Sequence, residues 1–147
     1  YTQLLEEFYY ELYLKNTHYN TILEHCTAGL PNESCGLLAG TEEDEEITVT
    51  KVYLLTNVDA SREHFSMDPK EQLAALKDAE QTDINHRELP FHPESPSRPS
   101  EEDKRLAFDP TIEYLILSLM EEGNPVLKAF GIDKEKNVTT HEIEITE

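Results

Sequence analysis

Three short stretches hold residues whose types and spacing fit one chemistry. Glu33 lies in Pro31-Asn32-Glu33-Ser34-Cys35-Gly36, at the mouth of an apolar run that closes on Gly40. Far downstream come His92-Pro93, then Ser100 after seven intervening residues, then Asp103 three positions further on. A histidine nitrogen and an aspartate oxygen are ordinary zinc ligands at about 2.0–2.2 Å. A glutamate near such an ion but not bound to it can take a proton from water whose pKa the ion lowers to about 7. Taken singly, each residue has a plainer reading: Glu33 as a turn residue, His92 as a surface loop residue before proline, Ser100 and Asp103 as a helix capping box.

Those residues need elements to position them. Asn16-Thr17 reads as the cap of a helix reaching about Thr27, with Tyr19, Ile22, Leu23 and Cys26 forming one apolar stripe. After the turn Gly29-Leu30-Pro31-Asn32, Ser34 to Gly40 reads as a buried strand and Ile47 to Leu55 as a second, alternating one, joined by an acidic turn over Thr41 to Glu46. Asp68-Pro69-Lys70-Glu71 starts a helix with a capping carboxylate, proline at the first helical position and Glu at the third. Ser100-Glu101-Glu102-Asp103 starts a shorter one, and strands follow at Glu113–Met120, Val126–Ile132 and Val138–Ile145. This order predicts an α/β or α+β fold around a mixed sheet. The exception is Glu80 to Phe91, placed where a central strand belongs yet holding only Ile84, Leu89 and Phe91 as apolar residues, and expected to be the least ordered interior stretch. Pro90, Pro93, Pro96 and Pro99, half of the eight prolines, lie between it and Ser100.

Composition excludes several functions. With 147 residues, one domain is expected; 12 Lys and Arg against 31 Asp and Glu give a net charge of −19. Such a charge argues against nucleic acid, whose binding depends on cations displacing counterions, and against anionic membranes; partners with basic patches are expected instead. No run of 18 apolar residues occurs, and the first 13 residues carry Glu6, Glu7 and Glu11 but no basic residue, unlike a secretory signal. Two cysteines, Cys26 and Cys35, without a CxxC pair point to a reducing, cytoplasmic setting.

The pattern Pro-x-Glu-x-x-Gly, followed by His-Pro and then Ser-x-x-Asp, resembles the JAMM (MPN+) zinc metallopeptidases, in their stand-alone bacterial branch. The resemblance covers Glu33–Gly40, Asn57–Lys77 and His92–Ile132, most tellingly Ser95 to Ala107, and includes the strand Tyr114 to Leu119. It implies a single α/β domain of MPN type (cytidine-deaminase-like), a mixed β-sheet flanked by helices, with residues 1–12 as an N-terminal extension. It further implies Glu33 as general base, His92 and Asp103 as Zn2+ ligands, and Ser100 as the hydrogen-bond donor to the tetrahedral oxyanion. The implied reaction is hydrolysis of the peptide or isopeptide bond after the Gly-Gly tail of a ubiquitin-like or sulfur-carrier protein. Glycine suits a narrow groove over a metal because it lacks Cβ.

One position departs from the pattern. Where the family has the first His of His-x-His-Pro, this chain has Pro90, which leaves two protein ligands where catalytic zinc usually has three. His86 is the nearest substitute, four positions upstream of Pro90, about 13 Å along an extended chain. A pair of compensating frameshifts across Ala79–His92 would account for both the lost strand pattern and the lost histidine. Taken at face value, Pro90 favours a different class of function: a metal-free module that binds ubiquitin-like proteins without cleaving them. A third reading is a plain acidic interaction domain that shares only the fold.

The remaining candidates have plain readings. Cys35 is expected in the core rather than as a nucleophile, His25 and Cys26 on different helix faces, His64 as structural or surface, and His18 and His141 as exposed. The run Glu42–Glu46 reads as a solvated turn. The aromatics Phe8, Tyr9, Tyr10 and Tyr13 fit either packing on the domain or an oligomer contact.

Overall fold

A computed structural model describes residues 11–30, 34–59, 66–81, 86–94, 97–107, 112–121 and 123–147, so Glu33, His64 and the aromatics at 8–10 lie outside the described residues. The chain runs β1 (Glu11–Lys15), α1 (Asn16–Ala28), β2 (Cys35–Glu43), β3 (Glu46–Leu55), α2 (Pro69–Glu80), β4 (His86–Pro93), α3 (Glu101–Leu106), β5 (Glu113–Ser118), β6 (Val126–Ile132), β7 (Val138–His141) and β8 (Ile143–Thr146). All eight strands join one mixed sheet in the order β7-β6-β5-β4-β2-β3-β1-β8.

The two end strands of that order, β7 and β8, are separated in sequence by Glu142 alone, whose carbonyl accepts from the Leu12 backbone N–H at 3.2 Å. A sheet whose opposite edges are joined through one residue must curl until those edges meet, as right-handed strand twist permits. The single strand expected over Val138–Ile145 is therefore two strands on two edges. The expected extension also ends earlier, because Glu11 and Leu12 already belong to β1, where Leu12 and Leu14 are fully buried.

Both faces of the sheet are covered. Leu12, Leu14, Leu38, Ile47, Val49, Leu89, Phe91, Leu115 and Leu117 pack with Ile22 and Cys26 of α1. On the opposite face Cys35, Leu37 and Leu55 meet Ala75 of α2. Burial on both sides explains why β2 opens as an unbroken apolar run rather than an alternating one. Each buried Leu, Ile or Phe contributes about 1.5–3 kcal/mol relative to exposure. The architecture is the expected α/β domain with a mixed sheet flanked by helices.

Local chemistry accounts for the helix starts. Asp68 accepts from the Lys70 and Glu71 backbone N–H groups, at 2.9 and 3.2 Å, with Pro69 first in α2. The Glu71 carboxylate reaches across to the Thr56 N–H (2.7 Å) and hydroxyl (3.0 Å), pinning the end of β3. Helix α1 has no side-chain cap: β1 runs straight into it, so Lys15 holds the cap position and Asn16 and Thr17 are already helical.

Of the Glu80–Phe91 stretch, expected to be the least ordered interior one, residues 82–85 lie outside the described residues, while 86–91 belong to β4 in the middle of the sheet. Leu89 and Phe91, two residues apart, share the face turned to the α1 core, and those two anchors suffice. Pro90 is tolerated for a directional reason. The Glu94 N–H donates to Leu117 O of β5 (3.0 Å), and by strand alternation the nitrogen of Pro90 also faces β5. Pairing with β5 covers only Phe91–Pro93, so the missing N–H ends that ladder without interrupting it. The strand forms from these residues as they stand.

His141, expected at the surface, is buried, with Nδ1 2.5 Å from the Glu113 carboxylate, which is buried too. Gly131 lies against the ring, where a Cβ would make only an ordinary contact at 3.5 Å. Gly36, by contrast, is required. A Cβ at that position would lie 2.2 Å from the Phe91 ring and 2.6 Å from Tyr53 O. Gly36→Ala should therefore destabilise the domain by about 1–3 kcal/mol, the usual cost of overpacking, seen as a lower urea midpoint. An unchanged midpoint would contradict this close approach of β2 to β4.

Candidate metal centre

The face of β4 opposite Leu89 and Phe91 carries Pro90, His92 and, one residue past the strand, Glu94. His92 is 3% exposed. Its Nδ1 lies 2.9 Å from Pro93 O. A carbonyl oxygen can only accept, so Nδ1 carries the hydrogen and Nε2 is left facing Asp103 Oδ1 at 3.4 Å.

Asp103 is held from its own helix. Ser100 caps α3 by accepting from the Asp103 N–H (3.1 Å), and Asp103 Oδ2 accepts from the Ser100 N–H (2.8 Å), a complete capping box. One carboxylate oxygen is thus anchored to backbone while the other faces His92. The Ser97 hydroxyl donates to Ile116 O at 2.7 Å, tying the proline-rich loop to β5 and setting α3 over His92. Burial pushes the Asp103 carboxyl up, but hydrogen bonding and charge from His92, with the bonds from Ser100, outweigh it and hold the group below the usual carboxylate range.

Two acceptors cannot face each other across 3.4 Å unless a proton or a cation lies between them. A charge-assisted N–H···O bond favours about 2.7–2.9 Å. Two ligands on a tetrahedral ion with arms of about 2.1 Å stand about 3.4 Å apart. At 3.4 Å the two groups can form an ion pair, with His92 protonated, or serve as two ligands of one cation. One ligand atom each from His92, Glu94 and Asp103 lies within 4.8 Å of the others, so the donor set fits a divalent cation.

His92, Ser100 and Asp103 are thus brought together. Glu33 lies outside the described residues; the chain is described again from Ser34, and Gly36 pairs with Phe91, the neighbour of His92. His86 is out of reach: it pairs with Thr41 at the far end of β4, six residues or about 20 Å of extended chain from His92. Glu94 went unpredicted, although its signal was available, since residues i and i+2 on an extended chain share a face.

His25, expected only as one of a divergent pair with Cys26, clamps this region. Its Nε2 is 2.9 Å from Cys35 O, its own carbonyl accepts from the Ser34 hydroxyl (3.2 Å), and its ring meets Phe91 edge-on at 6.2 Å. Cys26 points into the core as expected, and burial beside Cys35 pushes its thiol up to about 12, which leaves it no nucleophile at neutral pH.

The profile described as prokaryotic homologs of the JAB domain matches residues 15–130. The chain belongs to this family. Among the relatives of this JAB-domain chain, the CysO-cysteine peptidase of Mycobacterium tuberculosis is 27% identical over 128 residues, covering 84% of each chain. The desampylase of Haloferax volcanii is 35% identical over 105 residues, covering 67% of this chain and 74% of that one. A solution structure of a protein from Desulfitobacterium hafniense superposes with a TM-score of 0.81 at 46% identity, covering 92% of this chain and 93% of the other. Another, from Salinibacter ruber, gives 0.62 at 25% identity over 91% and 90%. The JAB fold and peptidase relatives thus accompany the paired His92 and Asp103, and no helix among the described residues is long and apolar enough to cross a membrane.

The capping box makes a separable prediction. Ser100→Ala should cost about 1 kcal/mol of stability by urea unfolding, the usual loss for an N-cap, and Ser100→Asp should recover most of it. Equal midpoints for all three proteins would remove the cap as the anchor of Asp103.

Proposed function

We propose that this chain is a metal-dependent peptidase or isopeptidase of the cytoplasm that hydrolyses the bond after the diglycine tail of a ubiquitin-like or sulfur-carrier protein. The observation that carries the reading is the fixed apposition of His92 Nε2 and Asp103 Oδ1, 3.4 Å apart in a mostly buried site. The names of the peptidase and desampylase relatives support the substrate class. His92 and Asp103 would hold Zn2+, which when bound polarises a substrate carbonyl and makes water nucleophilic near pH 7. Glu33 takes the proton of the attacking water and returns it to the leaving amine. The Ser100 hydroxyl accepts from the Asp103 N–H, which leaves its own hydrogen to donate to the oxyanion.

Pro90 favours a second reading, a metal-free binding module for the same carriers. Metal analysis and a cleavage assay on a carrier–Gly-Gly conjugate separate the two. The peptidase reading expects about one zinc per chain and turnover that a chelator abolishes. Glu33→Gln should keep the metal and lose at least about 100-fold in kcat, the lower range for a general base. Retained turnover excludes Glu33 as the base, and carrier binding without metal or cleavage establishes the second reading.

A further inference from the structure

We propose that Glu94 is the third protein ligand of the metal centre, replacing from the C-terminal side of His92 the donor that Pro90 cannot supply from the N-terminal side. This rests on the metal-centre reading above and deepens it. Pro90 and Glu94 are each two residues from His92 on extended backbone, so both project from the His92 face of the sheet. The backbone stays extended through Glu94 because its N–H continues the ladder to Leu117 O at 3.0 Å. A carboxylate oxygen of Glu94 already lies within 4.8 Å of one ligand atom of His92 and one of Asp103. Closing from that limit to the edge of about 3.4 Å of a tetrahedral site needs a shift of about 1.4 Å, which side-chain torsions of a half-buried glutamate provide. The count then reaches three protein ligands with one position open, as in catalytic zinc sites.

The substitution changes the chemistry as well as the count. One imidazole and two carboxylates form a harder donor set than two imidazoles and one carboxylate, and place two negative charges against the ion. Carboxylates suit Mn2+ and imidazoles suit Zn2+, so this chain should discriminate less between the two than a variant in which histidine replaces Pro90.

The test measures metal binding without reference to turnover. Affinities for Zn2+, Co2+ and Mn2+ are read by competition with a chromophoric chelator, and coordination by the visible absorption of the Co2+ form. The proteins are the unsubstituted chain, E94A, P90H and the double variant, each checked by thermal unfolding without metal. The expected result is one Co2+ per unsubstituted chain, at least about tenfold weaker binding in E94A, and recovery in the double variant with a stronger preference for Zn2+ over Mn2+. Binding by E94A equal to that of the unsubstituted chain overturns Glu94 as a ligand. Binding only by the two variants that carry P90H overturns it as well, while leaving His92 and Asp103 as ligands. Failure of all four proteins to bind overturns the metal centre itself.

Discussion

The bond from His92 Nδ1–H to the Pro93 carbonyl determines the electronic character of the site. It places a hydrogen on Nδ1 and turns Nε2 of an almost wholly buried ring toward Asp103. Asp103 is fixed just as firmly by the cap of α3, so neither group can turn away from the other. Protonated, His92 forms an ion pair with Asp103; neutral, it offers Nε2 beside the carboxylate as a donor atom for a cation. The 3.4 Å spacing between the two groups is compatible with ligands on one tetrahedral ion.

Holding that pair in place is the work of the sheet. Strand β4 lies between β2 and β5, and its Phe91 is packed between the α1 core and the space left free by Gly36. The edge strands β7 and β8 are joined through Glu142, whose carbonyl accepts from the Leu12 N–H. His25 adds a crosspiece: one residue near the end of α1 bonds the start of β2 at Cys35 and Ser34 and touches Phe91 beside His92. The segment that contains Glu33 is thus flanked by a helix end and a strand start, both tied to the strand of His92.

Pro90 shows how a residue that breaks a rule can be accommodated. A proline in a central strand normally removes a ladder bond, but here its nitrogen faces the side where β5 pairing has not begun. The same position removes an imidazole from the His92 face, and the next residue of matching direction on the other side is a carboxylate. Backbone alternation thus supplies both the reason the strand survives and the reason Glu94 is close to the centre.

Much of this was written in local sequence, because the governing interactions are local. Asp68-Pro69 and the Ser100–Asp103 capping box act within one helical turn, and the apolar run after Cys35 states its own double burial. The pairing of His92 with Asp103 followed from spacing and family resemblance together. Long-range partners stayed hidden. Leu89 and Phe91 were too few for a strand by pattern alone, and only their seats in the α1 core make them enough. His141 looked exposed until Glu113 and Gly131 were seen beneath it, and Val138–Ile145 looked like one strand until the curled sheet divided it between two edges. Local hydrogen bonds and periodicity belong to the sequence itself, whereas which faces meet, and so which charged groups share a cavity, is decided only when the sheet closes.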